Sequence, residues 1–486
     1  MNFKLMGRII AYILAIEAVF MVPAEFVALY FHEYPAAKAL TLTMVILLTA
    51  VGALFLATRG TSRKFHAKDG LVCVGVGWIL LSAFGALPFV ISGEIPNYID
   101  ALFETVSGFT TTGASILTDV EAMSHGLLYW RSFTHWVGGM GVLVFMLAIV
   151  PLSGRNSGFT LHLLRAESPG PNVGKIVPRM RETAEILYII YIVLTVLDVV
   201  LLLAGGMPVF DAVCTAFGTA GTGGFGIRGD SIASYSPYLQ GVCTVFMILF
   251  GVNFTCYYLL LRREWREVLR DEELRCYVVI ILASIALITW NVHGSFDSLL
   301  SAGHHAAFTV ASIITTTGFA TKDFSQWPTF SKAILLFLMF VGACAGSTGG
   351  GIKVSRVLLL FKGLRRNIHQ VLHPQRMQSI RVNRQNMSEQ VMANTNAYLS
   401  AYVVILILSF LVISLESDFS FESNFSAVMC TFNNIGPGLD QVGPASNFHA
   451  YGVLSKLVLI GDMLLGRLEI FPILVLFSKS TWRRLK

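Results

Sequence analysis

The chain has 486 residues, of which 55% are hydrophobic and 13% are charged, and its mean hydropathy is +0.67. These values exclude a soluble globular protein and predict an all-α polytopic membrane protein that forms one unit in the lipid bilayer. The net charge of +6 comes from Lys and Arg residues clustered in the predicted inner loops. This clustering favours a topology with both termini in the cytoplasm over a surface that binds nucleic acid.

The apolar stretches divide the chain into five segments. Residues 1–69 predict two transmembrane helices. Four segments of one plan follow, at 70–182, 183–274, 275–390 and 391–486, each with an outward span, a short helix, a glycine-ended strip and an inward span. This plan predicts ten spanning helices and four re-entrant hairpins around one central pore.

Each short helix has about four turns or fewer, too few to cross the roughly 30 Å apolar layer of a bilayer. The strip that follows it can turn backbone carbonyls toward a dehydrated cation, and its glycine permits the backbone conformation that this requires. One such strip alone would indicate a helix C-cap, but four at equivalent places predict an ion-selective filter. The predicted short helices are 98–109, 210–219, one that ends near 312, and 421–432. Strips 1 to 4 are 110–113, 221–225, 315–319 and 433–436.

Strip 2 has two possible alignments with strip 1. A shift of 111 residues brings Gly113 onto Gly224, whereas a shift of 110 brings it onto Gly223. Both glycines are therefore candidate filter residues.

A glycine-rich segment interrupts the inward span of the third repeated segment. So many glycines should break a helix, and Ile352 stands where a phosphate-binding loop requires Lys. We predict an unwound intramembrane loop below the filter that obstructs or opens the pore, with close helix packing through small residues as the alternative. The gating residues are Gly346, Ser347, Thr348, Gly349, Gly350 and Gly351.

Arg467 lies inside the last apolar span. A charge at that depth costs about 2.5 to 3.5 kcal/mol and should face protein or water. In the pore, against the glycine-rich loop, Arg467 would form an electrostatic barrier to a cation. Local pairing with Glu469 or Asp462 is the structural alternative.

Other polar residues carry weaker signals. Glu104, in the first short helix, could brace strip 1 or face outward, and Asp440, after strip 4, could attract cations or simply be solvated. His304 and His305 have no metal-ligand spacing with another His or Cys. The sequence shows no combination of a nucleophile with a general base that would indicate an enzyme.

These features together resemble one family. The four strips, the Gly-Ser-Thr-Gly-Gly-Gly-Ile-Lys stretch at 346–353 and the Gly-Arg-Leu-Glu-Ile-Phe stretch at 466–471 are similar to those of the TrkH-type membrane subunits of bacterial Trk potassium uptake systems, within the Trk/Ktr/HKT superfamily. The resemblance covers essentially the whole chain. It implies a single channel-like pore surrounded by four repeats, with the strips as selectivity filter.

The resemblance also implies the transported ion and its ligands. Family members with Gly at all four sites tend to select K+, whereas Ser at the first site goes with sodium permeation; this chain has Gly113 there. The two residues before each glycine would bind the ion, and in strip 2 this pair would be Gly221 and Thr222. The implied ion-binding residues are Thr111, Thr112, Gly113, Gly221, Thr222, Gly223, Gly224, Thr316, Thr317, Gly318, Asn434, Ile435 and Gly436.

Partners follow from the resemblance alone. Family members form homodimers in the bacterial inner membrane and bind a cytosolic nucleotide-sensing ring of TrkA type, for which the basic linker 362–390 is a candidate docking surface. A proton- or sodium-coupled symporter is the nearest alternative function. A membrane-embedded enzyme or sensor is the alternative from a different class.

Overall fold

The computed structural model describes residues 2–60, 67–139, 141, 180–374 and 379–482. The end of the first predicted inward span and the basic loop 153–182 lie almost entirely outside these ranges. Within them the chain is helical, apart from loops and one antiparallel hairpin in which Arg381–Val382 pairs with Gln385–Asn386. The predicted all-α membrane fold is therefore confirmed.

Six helical spans in the described ranges are long and apolar enough to cross a membrane. Four of the spans run without interruption through 24 residues or more. The third consists of two consecutive helices. The bounds are Phe3–Tyr30, Tyr34–Ala57, Ala67–Gly85 with Leu87–Ser92, Met180–Ala204, Glu272–Val292 and Glu389–Glu416.

The second, third and fourth predicted inward spans are broken rather than continuous, so none of them passes this test as a single helix. Pro237–Phe250 and Phe254–Leu261 meet at 89°, at a break where the Asn253 side chain caps the second helix. Val453–Arg467 and Phe471–Phe477 are separated by residues 468–470, of which Glu469 and Ile470 have positive φ. Of the first inward span, the structure describes the helix His125–Gly139.

The third inward span is interrupted by a longer stretch. Thr329–Val341 and Val354–Leu372 are helical, and residues 342–353 between them form the predicted unwound loop. Gly342, Gly346 and Gly351 have positive φ, which accounts for the break. Two short helices, Trp265–Arg270 and Lys479–Trp482, lie outside the spans.

Four short helices precede the strips. Short helices 1, 2 and 4 have 12 residues, about 18 Å at 1.5 Å per residue, and short helix 3 has 16. The first, third and fourth begin where the side chains of Asn97, Ser298 and Ser420 accept hydrogen bonds from backbone N–H groups. Short helices 1 to 4 are Tyr98–Phe109, Val209–Ala220, Leu299–Ile314 and Phe421–Phe432.

The short helices lie in the core of the bundle. Phe103 and Phe308, aligned by the sequence repeat, are both 0% exposed. A buried ion pair between Lys456 Nζ and Asp100 Oδ1, 2.6 Å long, connects the helix Val453–Arg467 to short helix 1. The last helical segment therefore packs against the first, and the strips are brought together at the centre.

Candidate ion-binding site

The four strips share one backbone conformation. In each, the second residue after the short helix and the glycine two positions later have positive φ. A left-handed conformation of a non-glycine residue costs about 1 to 3 kcal/mol and persists only where the surroundings enforce it. The left-handed residues are Thr111, Thr222, Thr316 and Asn434, with φ of 53–60°, and the glycines are Gly113, Gly224, Gly318 and Gly436, with φ of 75–94°.

Backbone hydrogen bonds settle the alignment of strip 2. The third strip residue donates its N–H to the carbonyl five residues earlier: Thr112 to Ser107 at 2.8 Å, and Gly223 to Gly218 at 2.8 Å. Strips 3 and 4 repeat this bond at Thr317 and Ile435. The shift of 111 is therefore the structural one, and Gly224 is equivalent to Gly113.

This alignment corrects one part of the sequence assignment. Gly221 is the C-cap of short helix 2, as Thr110 is of short helix 1. The pair in strip 2 that corresponds to Thr111 and Thr112 is Thr222 and Gly223, one residue later than the predicted pair. The sequence left this register open because strip 2 contains three glycines and so has no unique side-chain pattern.

The glycines interlock in a closed ring. Each glycine lies against a carbonyl oxygen of the next strip, that of the residue just before the next strip's glycine. The gap is too small for a Cβ atom on the glycine. In cyclic order the pairs are Gly113 with Gly223, Gly224 with Thr317, Gly318 with Ile435 and Gly436 with Thr112. Because the last pair returns to strip 1, the four strips surround one axis in chain order.

Threonine hydroxyls brace the ring. Oγ1 atoms of Thr110 and Thr112 lie 2.8 Å apart, and Asn434 Nδ2 donates to Thr112 Oγ1 at 2.9 Å, which joins strip 4 to strip 1. Thr111 Oγ1 is buried and has no hydrogen-bond partner in the described part of the chain. A buried oxygen without a donor is available to a cation.

A cavity of about 180 Å³ opens on the side of the ring that the glycines face. It is bordered by all four ring glycines and by the loops that follow strips 1, 2 and 4. The cavity is large enough for several waters at about 30 Å³ each. A hydrated ion therefore has space directly beside the ring.

Glu104 braces two strips from behind. Its side chain is 1% exposed; Oε1 accepts from Arg131 Nε at 2.6 Å, and Oε2 accepts from the N–H of Ile116 at 2.9 Å. Arg131 Nη1 in turn donates to the carbonyl oxygen of Gly226, beyond strip 2, at 2.8 Å. The bracing interpretation of Glu104 thus agrees with the structure, and the outward-facing one does not.

Asp440 is a local cap rather than a free acid. Its carboxylate accepts hydrogen bonds of 2.7 Å from the hydroxyls of Ser423 and Ser420, at the start of short helix 4. These bonds lower the pKa of Asp440 below its ordinary value of 3.8, with Ser423 contributing most. Because folding lowers this pKa, the stabilisation is present above pH 3.8 and is lost as the pH falls through the folded-state value.

The Asp440→Asn variant tests this cap. We expect it to lower the Tm of the detergent-solubilised protein by about 1–2 °C at pH 7, since one or two hydrogen bonds to a charged acceptor weaken at an exposed site. The difference from wild type should shrink below pH 3.8. Asp297→Asn, at another exposed acid, is the matched control. An equal Tm difference between variant and wild type at pH 7 and below pH 3.8 would contradict the assignment of Asp440 as a helix cap.

The glycine-rich loop lies directly against strips 3 and 4. The N–H of Gly350 donates to Thr316 Oγ1 at 2.6 Å. A Cβ atom on Gly349 would come within 2.9 Å of the Thr315 carbonyl oxygen, and one on Gly350 within 2.5 Å of that of Asn433. Side chains are excluded here because loop and ring backbones touch.

Arg467 connects this loop to the first inward helix. Its Nη1 donates to the carbonyl oxygen of Thr348 at 2.7 Å, and its Nη2 donates to that of Gly138 at 2.6 Å. The acids considered as local partners are engaged elsewhere: Glu469 binds Arg356, and Asp462 accepts from Ser409 at 2.7 Å. The positive charge of Arg467 therefore lies beside the glycine-rich loop.

Two buried residues near the ring were missed by the sequence analysis. Lys353, with φ of 82°, places Nζ against the carbonyl oxygens of Gly349 and, at 3.1 Å, Gly350. The Gly-Gly-Gly-Ile-Lys sequence could have indicated the role of Lys353, because a Lys next to an unwound intramembrane loop needs carbonyl acceptors. His135, behind strip 2, gave no such signal.

The spans and the ring together define a polytopic helical membrane protein in which four strips, each preceded by a short helix, close into one ring. Such irregular backbone inside a membrane protein is typical of ion-transporting proteins. The chain belongs to the TrkH family of cation transport proteins, whose family model matches residues 36–483.

Relatives and a solved structure agree with this membership. The chain is 37% identical to the Trk system potassium uptake protein TrkH of Salmonella typhimurium, over 99% of this chain and 100% of that protein. It is 34% identical to the Trk system potassium uptake protein TrkG of Escherichia coli, over 95% of each. The crystal structure of the potassium transporter TrkH from Vibrio parahaemolyticus matches 99% of this chain and 100% of that chain, with a TM-score of 0.88 and 33% identity.

Proposed function

We propose that this protein takes up K+ across the bacterial inner membrane through a channel-like pore whose selectivity filter is the ring of strips 1 to 4. The closed ring of glycines and carbonyl oxygens is the observation that carries the proposal. Carbonyl oxygens replace the hydration shell of K+ without a fixed negative charge that would hold the ion too tightly. The names of the two relatives, both potassium uptake proteins, support this substrate.

The ion ligands in this proposal are the carbonyl oxygens of the strip residues before each glycine, with Thr111 Oγ1 as a further oxygen. Gly113, Gly224, Gly318 and Gly436 allow neighbouring strips to approach closely enough for these oxygens to share one axis. An inside-negative potential supplies about 2.3 kcal/mol per charge per 100 mV. Because about 1.4 kcal/mol corresponds to a factor of ten, uptake through the pore can accumulate K+ more than tenfold.

The glycine-rich loop and Arg467 form the gate in this proposal. The loop contacts the ring through Gly350 and Thr316, and Arg467 holds it through the Thr348 carbonyl. In this position the guanidinium opposes the passage of a cation. Displacement of the loop, with Arg467, would open the path to the cytoplasm.

Regulation and assembly complete the proposal. A cytosolic nucleotide-binding subunit of TrkA type would dock on the inner basic loops, including the linker 362–390, and two copies of this chain would form a homodimer in the membrane. The linker is anchored to the membrane part: Asn383 Nδ2 donates to Asp271 Oδ2 at 2.7 Å, and its Oδ1 accepts from the N–H of Glu272 at 2.9 Å. Movement of the linker would thus reach the helix that starts at Glu272.

Flux into liposomes tests the function. Purified protein should carry K+ and Rb+ at a rate that follows their own gradients and the clamped potential, with Na+ slower by at least about tenfold. Protein-free liposomes are the control. A rate set by a proton or sodium gradient at fixed potential would favour the symporter, and the absence of K+ and Rb+ flux would contradict transport altogether.

A further inference from the structure

Strip 2 lacks a side chain that the other strips possess. At the third strip position, strips 1, 3 and 4 carry Thr112, Thr317 and Ile435, which are 0% exposed. Strip 2 carries Gly223 there. An unfilled space at this depth would be destabilising and would leave the glycine backbone free to change conformation.

The imidazole of His135 occupies this space. A Cβ atom on Gly223 would overlap the ring at Cγ and Nδ1, and one on Gly221 would overlap the backbone carbonyl of His135. His135 is 0% exposed, and its ring stacks on Phe225, the residue after the strip 2 glycine, with 4.1 Å between centroids. The helix His125–Gly139 thus supplies the missing side chain to strip 2.

Two hydrogen bonds fix the orientation of this ring. Nδ1 lies 2.8 Å from the carbonyl oxygen of Gly108, and Nε2 lies 3.2 Å from the backbone nitrogen of Phe225. A carbonyl oxygen only accepts and a backbone N–H only donates, so the imidazole is neutral and carries its proton on Nδ1. It therefore joins the last turn of short helix 1 to the exit of strip 2.

We propose that His135 is the positioning residue for strip 2. It replaces the side chain absent at Gly223, holds the N–H of Phe225 and keeps the Gly223 carbonyl oxygen beside Gly113 in the ring. In this way it determines the ion selectivity of the second quarter of the filter. The inference rests on the proposed K+ transport, since selectivity requires that the ring conduct.

A side-chain exchange tests the proposal. His135→Ala should lower the ratio of K+ to Na+ permeability in liposomes by at least about tenfold. Gly223→Thr alone should also lose selective flux, because its side chain overlaps the imidazole. The double variant His135→Ala with Gly223→Thr gives strip 2 the residue found in strips 1 and 3, and it should return the ratio to within about threefold of wild type. A histidine that stabilises the fold without positioning strip 2 would leave the ratio of K+ to Na+ permeability unchanged in folded His135→Ala protein.

Controls separate the possible failures. His125→Ala removes a histidine from the same helix that is bound to Glu33, away from the ring, and should keep the wild-type ratio. Where His135→Ala is not monodisperse in detergent, His135→Gln and His135→Asn give the answer. Gln extends far enough to accept from Phe225 and should retain a higher ratio than Asn, which reaches only Gly108.

Three outcomes overturn the proposal: an unchanged ratio in His135→Ala, no recovery in the double variant, or equal ratios in the Gln and Asn variants. Each of these outcomes is judged by comparison with wild-type protein that conducts K+ selectively. Wild-type protein that moves no K+ would instead refute the proposed function.

Discussion

Replacement of Gly318 by alanine is expected to reduce K+ flux at least about 100-fold. Its φ of 87° is unfavourable for an L-residue, and its Cβ atom would overlap the Ile435 carbonyl oxygen. That oxygen must turn away, or strip 3 must leave the ring. In both cases one quarter of the proposed coordination is lost. An ion that has already lost its hydration water then lacks the carbonyl oxygens that would replace that water. Rubidium influx into liposomes at a clamped potential measures the effect.

Gly241→Ala is the matched control for this substitution. Gly241 lies within the helix Pro237–Phe250, and a Cβ atom there meets nothing within 4 Å. Alanine should slightly stabilise that helix, so flux should stay near the wild-type value. Flux through Gly318→Ala equal to that of Gly241→Ala, in protein shown to be monodisperse, would mean that the ring does not coordinate the ion.

Replacement of Arg467 by glutamine is expected to raise basal K+ flux by about tenfold or more in the absence of any regulatory subunit. The guanidinium holds two carbonyl oxygens, those of Thr348 and Gly138, on two separate parts of the chain. Hydrogen bonds to a charged group contribute about 1.5–3 kcal/mol each, and about 1.4 kcal/mol corresponds to a factor of ten in the open-to-closed ratio. Loss of the positive charge would also remove a repulsion from the proposed ion path.

Arg467→Lys separates these two effects. Lysine keeps the charge but lacks the planar fork that reaches both carbonyl oxygens, so we expect a flux between those of wild type and Arg467→Gln. Arg365→Gln, at an exposed arginine on the helix Val354–Leu372, controls for a change in overall charge. Wild-type flux in folded Arg467→Gln protein would assign Arg467 a structural role only.

The ring is pre-organised at a measurable conformational cost. Four non-glycine residues are held in the left-handed region, at about 1–3 kcal/mol each. Contacts between strips, such as the Asn434 to Thr112 hydrogen bond, and contacts behind them, such as the Glu104 to Arg131 ion pair, hold this conformation. If the ring is the selectivity filter, as proposed, this support from behind would reduce its reorganisation when an ion replaces water.

The sequence by itself determined the features that depend on local composition. Long apolar stretches predicted a helical membrane protein, and the bounds 98–109 and 421–432 of two short helices agree with the structure. The glycines at 346–351 predicted the unwound loop, because several glycines within one helix cost more than the helix gains. The assignment of the strips to ion coordination is still a prediction.

Only the tertiary structure decided how distant residues meet. The ring of His135, almost 90 positions earlier in the chain, fills the side-chain space at Gly223 and accepts from the N–H of Phe225. The partners of Arg467 are backbone carbonyls. Every residue has a backbone carbonyl, so the sequence does not indicate which ones Arg467 contacts. Hydropathy and glycine content act through neighbouring residues, whereas the carbonyl that faces a given atom is fixed by packing between segments far apart in the chain.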